Sequence, residues 1–195
     1  GLANILVASE ELEPGDGWDY DAYVGAVAQN PGLSPQGLAA AMVDTYGKSY
    51  RPGGSQRGRD ITLSALDINQ VVNTLTPALA NFAGELKASL PADKAAIAAA
   101  RSKTQTFYNR DAADLGDFLA NLSATSRNPR VGAAAANLQE AMKATLINET
   151  HYGGSVDRAT GFQVYFPNAT QSYNRRYDDV SSIRFAETQA WGDFL

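Results

Sequence analysis

The sequence predicts an α/β fold in which a partly parallel sheet lies between layers of helices. Short apolar or β-branched runs alternate along the chain with longer segments of helical periodicity. The first of these runs, Ile5–Ala8, is continuously apolar, as is typical of a strand buried on both faces. No internal repeat and no convincing linker divides residues 1–195, so we expect one domain.

Composition narrows the possible functions. The 195 residues are 44% hydrophobic and 19% charged, which is ordinary for a globular domain. A net charge of −5 argues against a nucleic-acid partner, and no apolar run is long enough to span a membrane. The absence of cysteine excludes disulfides, thiolate metal sites and a cysteine nucleophile on this chain. Because the sequence enters a strand within a few residues and lacks an initiator Met, we expect a cut within a longer precursor.

The first half of the chain is predicted to hold two strands and three helices. Ser34 followed by Pro35 is a helix N-cap with proline at the first helical position. Residues 61–66 alternate and are rich in β-branched and apolar side chains, and Asp67 caps the long helix that follows. The predicted strands are Ile5–Ala8 and 61–66, and the predicted helices are 19–29, 35–46 and 67–90.

The sequence of the second half of the chain predicts more helix than strand. Gly161 and Pro167 bound the apolar strand 161–166, and 168–179 is a polar, tyrosine-rich surface segment. The predicted strands are 104–108, Leu146–Tyr152 and 161–166, and the predicted helices are 91–101, 114–124, Pro129–Thr145 and 183–195. Four or five short strands are too few for these helices. We therefore expect part of the sheet to come from a second polypeptide or a missing N-terminal half.

An acidic loop follows the first strand. Six acids fall within a dozen residues there, and Pro14, Gly15 and Gly17 prevent regular structure. In parallel α/β sheets, ligands bind at this end of the strands. Because the loop is acidic, it suits a cationic ligand, and the rings of Trp18 and Tyr20 could stack on that cation. The six acids are Glu10, Glu11, Glu13, Asp16, Asp19 and Asp21.

Two other interpretations of this loop remain open. Acidic loops are often simply solvated and bind nothing. A calcium site is the second alternative because oxygen ligands are plentiful, although the spacing of Asp16, Asp19 and Asp21 does not match an EF-hand.

Two further motifs favour structural roles. His151 lies near Ser155, but a serine nucleophile would also need a group to orient the histidine, and the sequence offers none. The basic glycine-rich loop at 51–59 could bind phosphate, but it lacks the residue order of a P-loop. We expect His151 to be structural or exposed and the loop to be a flexible surface segment.

Five segments together resemble the clostripain-like cysteine peptidases, which belong with caspases, gingipains and legumains in one fold group. They are LVASEELEPGDGWDY, TLSALDI, TFYNRDAADLGDFLANL, GFQVYFP and AWGDFL. The resemblance implies a caspase-like sandwich with a mostly parallel sheet between helices. It also implies that residues 1–195 are the C-terminal portion, or second chain, of the peptidase domain.

The resemblance implies that this chain carries no catalytic residue, because the family's catalytic His and Cys lie on earlier strands. The expected partner is the N-terminal chain of the same precursor, which forms a heterodimer with this one after proteolytic processing. The expected substrate is a peptide or protein cleaved after Arg or Lys, with no cofactor. The expected location is secreted, periplasmic or on a bacterial cell surface.

In such peptidases the S1 pocket, which holds the substrate residue before the scissile bond, lies beside the catalytic Cys, and its wall is partly formed by the loop leaving the next strand, here residues 9–16. The matching residues here are Ser9, Glu10, Glu11, Glu13, Asp16 and Trp18. Asp16 is the first candidate for pairing with a substrate guanidinium, and Glu10, Glu11 and Glu13 are alternatives. The alternative function is a catalytically inactive relative that serves as a binding or assembly module.

Overall fold

A computed structural model of the chain describes residues 3–168, 173–177, 181 and 190–195. Within these residues it is a mixed α/β structure. The strands are β1 (Ile5–Ala8), β2 (Ile61–Asp67), β3 (Ala112–Asp114), β4 (Leu146–Tyr152) and β5 (Gln163–Tyr165). The helices are α1 (Tyr20–Gln29), α2 (Pro35–Ser49), α3 (Ile68–Gln70), α4 (Thr76–Lys103), α5 (Leu115–Thr125), α6 (Pro129–Thr145) and α7 (Ala190–Phe194).

The main sheet has three strands in the order β1-β2-β4, and both pairs are antiparallel. The mostly parallel sheet that we predicted is therefore wrong for the described residues. The continuous apolar run of β1 suggested parallel pairing. However, β1 is not buried on both faces as predicted, since Leu6 is exposed and Ile5, Val7 and Ala8 are half-buried. An apolar run of four residues therefore reveals neither burial nor strand direction.

β1 is an edge strand. Among the described residues it pairs with β2 alone, so no strand lies along its other edge. Leu6 of β1 is 45% exposed. An unpaired edge is compatible with the expectation that another strand completes the sheet.

The second sheet is the short antiparallel pair β3–β5. The strand predicted at 104–108 is not formed, and Thr106 makes only an isolated bridge to Ala113. β3 was missed because its sequence, Ala-Ala-Asp, contains no β-branched or aromatic residue. β3 forms because it pairs with β5, and local sequence propensity does not predict a contact between such distant segments.

A long helical segment follows β2. α3 leads through a π-helical turn, Val71–Leu75, into α4. We predicted a new helix at Pro91, but Pro91 lies inside α4. Proline costs an interior helix one backbone hydrogen bond, and here the buried side chains of Leu86 and Ile97, on either side of it, anchor both flanks in one core.

Two hydrophobic cores lie on opposite faces of β2. Ile61, Leu63 and Ala65 pack with Val43 and Tyr46 of α2 in the smaller core. Because strand side chains alternate, Thr62, Ser64 and Leu66 face the other way, toward the larger helical core. That core gathers α4, α5, α6, α7 and the 162–166 segment.

The C-terminal segment is described in part. α7 covers the end of the helix predicted at 183–195, and the rest of that prediction lies outside the described residues. Within the predicted surface segment 168–179, Arg175–Tyr177 form a 3-10 turn. None of the helices that the structure describes is long and apolar enough to cross a membrane.

Candidate functional site

The acidic loop begins where β1 ends and is fastened to β2. Thr62 Oγ1 accepts hydrogen bonds from the backbone N–H groups of Glu10 and Glu11, each at 2.9 Å. Ser9 Oγ donates to the Glu11 carbonyl at 2.7 Å and lies 2.9 Å from Thr62 Oγ1. The start of the loop therefore has a fixed conformation. The sequence analysis missed Thr62. It could have been noticed as a polar residue near the start of a strand that is mostly apolar.

Glu10 is the buried member of the acidic loop, with 8% of its surface exposed. Its Oε2 accepts a hydrogen bond of 2.9 Å from Gly161 N–H, and its Oε1 is buried without a hydrogen-bond donor. Burial is the main cause that raises the pKa of Glu10 from 4.5 to about 9, and the negative charge of Asp114 is the second. At neutral pH Glu10 is therefore protonated.

The other predicted acids bind groups of the protein itself. The Glu11 carboxylate accepts the backbone N–H of Tyr108 at 3.0 Å and that of Leu12 at 2.7 Å. Glu13 Oε2 accepts Trp18 Nε1–H at 2.8 Å, and Asp16 Oδ2 accepts the Arg57 N–H at 2.7 Å. These bonds hold the loop in shape.

Trp18 and Tyr20 differ in their surroundings. Trp18 packs against the smaller core, with its ring 5.5 Å from that of Tyr46. Tyr20 is 63% exposed and contacts Tyr23 at a ring distance of 5.7 Å. Trp18 thus supports the loop from beneath, whereas Tyr20 presents its ring to solvent.

A cavity of about 690 Å³ lies beside β1. Its walls come from β1, β2, the start of the long helical segment, residues 161–165 and α7, and most of its lining is apolar. Of the six predicted S1-wall residues, Ser9 and Glu10 line this cavity. Glu11, Glu13, Asp16 and Trp18 lie elsewhere on the loop.

Asp114 and the turn formed by residues 160–162, here called the Gly161 turn, complete the surroundings of Glu10. Asp114 is fully buried and caps α5, accepting Asp117 N–H at 2.7 Å and Thr160 N–H at 2.6 Å. Burial raises the pKa of Asp114, and the hydrogen bonds from Asp117 and Thr160 oppose that rise. The sequence marked Asp114 only as the start of a helix.

His151 pairs with Glu149. Its Nδ1 lies 2.9 Å from Glu149 Oε1, and burial raises the pKa of Glu149 although the histidine bond opposes it. Ser155 instead bonds Asp60 through its backbone N–H at 3.3 Å. The structure therefore gives His151 a carboxylate partner but does not join it to Ser155.

The basic loop at 51–59 contacts the acidic loop. Besides the Arg57–Asp16 bond, Ser55 Oγ donates to Asp19. Arg51 turns the other way, to Thr150 Oγ1 at 3.1 Å and the His151 carbonyl at 3.1 Å. As for the calcium alternative, the described residues contain no group of three or more His, Cys, Asp or Glu side chains able to hold a metal ion.

Comparison with known protein families matches the whole chain, residues 1–195, to the clostripain family. No curated protein matches it. The family that the sequence motifs resemble is therefore confirmed.

Proposed function

Since the chain belongs to the clostripain family, a family of cysteine peptidases, we propose that it is the C-terminal portion of a cysteine endopeptidase. It supplies scaffold and part of the S1 pocket. The catalytic His and Cys lie on a preceding segment of the same precursor, which joins this chain as a separate N-terminal polypeptide.

One observation carries the proposal: among the described residues the edge of β1 opposite β2 has no partner strand, and Ser9 and Glu10, which follow β1, line a cavity against one face of the sheet. The chain has no cysteine, so a nucleophilic thiol has to come from another segment. A strand that pairs with the free edge and runs parallel to β1 would end next to Ser9. A catalytic residue following such a strand would then border the cavity.

The proposed substrate is a peptide or protein with Arg or Lys before the scissile bond. The apolar lining suits the aliphatic part of either side chain, and Glu10 lies in the same wall. A guanidinium beside Glu10 would stabilise the ionised carboxylate and bind it through charge-assisted hydrogen bonds. Asp16, the first candidate from the sequence, is exposed outside the cavity and bonds the Arg57 N–H, so Glu10 takes its place as the first candidate.

In this arrangement each segment has a distinct task. The partner's thiolate attacks the scissile carbonyl, and its imidazole protonates the leaving amine. This chain holds the substrate side chain, so that the carbonyl is presented to the thiolate in a reactive geometry.

The test is to co-express the chain with the preceding polypeptide of its precursor and to treat the complex with a thiol-alkylating, arginine-based inhibitor. We expect the label on the partner polypeptide. We also expect Glu10→Gln or Asp16→Ala to lower kcat/KM for Arg peptides more than for peptides with an apolar residue at that position. Glu140→Gln on the exposed face of α6 is the matched control. An unchanged preference in both variants contradicts the proposed pocket.

A catalytically inactive binding or assembly module is the second candidate. It is favoured by the internal hydrogen bonds that already engage Glu11, Glu13 and Asp16. Intact-mass analysis of the natural complex separates the two: a stable monomer without a His- and Cys-bearing partner supports the module. A secreted, periplasmic or cell-surface location stays a prediction.

A further inference from the structure

Glu10 shares a buried site with two other carboxyl groups. Asp114 approaches from the junction of β3 and α5, and Glu149 from β4. The Gly161 turn lies between these elements, since a β-carbon on Gly161 would be 3.2 Å from Glu149 Cγ. Three acids from three elements therefore meet around one turn.

The hydrogen bonds divide the proton unequally between Glu10 and Asp114. Asp114 accepts from Asp117 N–H, Thr160 N–H and Thr160 Oγ1, and such donors stabilise a carboxylate. Among the described residues, Glu10 accepts from Gly161 N–H alone, and no donor reaches its Oε1. A protonated Glu10 beside an ionised Asp114 is the state that fits these contacts, because a neutral carboxyl can donate to its neighbour.

The basic side chains near this site are engaged by other groups. His151 binds Glu149 at 2.9 Å, and Arg51 binds Thr150 and the His151 carbonyl. Arg158, on the far side, lies 3.2 Å from Asp117. Both charges that act on Glu10, those of Asp114 and Glu149, are negative. Among the residues that the structure describes, a second ionisation therefore has no unengaged basic side chain to offset it.

We propose that Glu10 and Asp114 share one proton and act as a proton-dependent latch between the start of the acidic loop and the Gly161 turn. While the proton is present, Glu10 remains buried and holds Gly161 N–H. When the proton is lost, two buried negative charges oppose each other, and the Glu10 side chain moves out of the site. Because Ser9 and Glu10 line the cavity, the latch sets the shape of one cavity wall. This inference does not depend on peptidase activity.

The experiment is a pH titration of the chain in the presence of the unlabelled preceding polypeptide of its precursor, with ¹³C at the glutamate carboxyl carbons and ¹⁵N at the glycines of this chain. We expect one of the seven glutamates to titrate near pH 9, and its signal to be missing in Glu10→Gln. The Gly161 amide signal is expected to shift with the same midpoint in the wild type and to show no such transition in Glu10→Gln. Glutamine keeps an acceptor for Gly161 and is always neutral, so this variant mimics the closed latch.

Two more variants make the test selective. Asp114→Asn removes the charge that faces Glu10 and is expected to move the Glu10 midpoint down by at least one pH unit. Glu140→Gln, far from the site on α6, is expected to leave both midpoints unchanged. The proposal is overturned if all seven glutamates titrate below pH 6. It is also overturned if Glu10 titrates near pH 9 while the Gly161 amide does not respond.

Discussion

Thr62 is the side chain on which the start of the acidic loop depends. Its Oγ1 accepts two backbone N–H groups, and its own hydrogen goes to Ser9 Oγ, since the Ser9 hydrogen is donated to the Glu11 carbonyl. Thr62 is 1% exposed, so water cannot replace these bonds. One hydroxyl thus fixes the direction in which the chain leaves β1.

Thr62→Val is expected to lower the free energy of unfolding by about 1–3 kcal/mol, because valine fills the same space but leaves a buried N–H without an acceptor. Urea denaturation measures the loss. Thr62→Ser, which retains the hydroxyl, is expected to recover most of it. Equal stabilities for the valine and serine variants would show that the hydroxyl is not what holds the loop.

The pKa of Glu10 predicts a pH dependence of stability. The folded-state pKa is about 9 and the ordinary value is 4.5, so the folded state keeps a proton that the unfolded state loses. The stability from this proton is complete below pH 4.5 and is lost as the pH rises toward 9. Relative to Glu10→Gln, the wild type is expected to lose up to about 1.4 kcal/mol per pH unit in this window.

Urea denaturation at pH 6, 7 and 8 measures this difference directly. Glu140→Gln provides the control, because it makes the same substitution at an exposed position. Parallel stability curves for the wild type and Glu10→Gln would contradict the raised pKa.

At the scale of elements, the Gly161 turn connects the sheet to the helical core. Gly161 has φ of +88°, its N–H binds Glu10, and its carbonyl accepts Ser64 Oγ at 3.0 Å. The next residue, Phe162, accepts Leu115 N–H at the start of α5. Glycine is needed here for its backbone conformation and because Ser64 and Glu149 leave little space for a β-carbon.

Gly161→Ala is expected to destabilise the fold by about 1–3 kcal/mol, from the left-handed backbone and from contacts of 3.0 Å to Ser64 Cβ and 3.2 Å to Glu149 Cγ. Differential scanning calorimetry gives the shift in Tm. Gly84→Ala, at an open position within α4, is the control and is expected to be neutral or stabilising. Similar changes in Tm for both variants would show that Gly161 has no special structural role.

Several elements were predictable because their signals are local. Ser34 caps α2 through Gly37 N–H as expected, and α6 and β4 have the predicted bounds. The direction of strand pairing and the strand β3 were not predictable, because they depend on contacts between distant segments. The same holds for the site: the sequence placed Asp16 ahead of Glu10, and contacts with distant segments, such as that with Gly161, are what bury Glu10.

At the scale of the whole molecule, the main feature of the described residues is that β1 has a strand on one edge only. Leu6 is 45% exposed there and also lines the cavity. The proposed partner strand would cover it. The edge of β1 is therefore the place where the proposed partner polypeptide would bind this chain.

Leu6→Glu is expected to leave the Tm of the chain within a few degrees, because an exposed side chain contributes little to folding. It is expected to reduce co-purification with the partner polypeptide at least tenfold, since a charge would be buried at the new strand pair. Val24→Glu, at a similarly exposed position on α1, is the control. Normal assembly of Leu6→Glu would place the partner elsewhere.

β1 is only four residues long, but its own sequence carries none of the other features that keep an edge strand from pairing with other molecules. Ile5–Ala8 contains no lysine, no proline and no bulge, and such bare edges template intermolecular β-pairing. Purified without a companion, the chain should therefore aggregate in a concentration-dependent manner. Solubility, easily followed by light scattering, would then improve when the companion polypeptide is supplied.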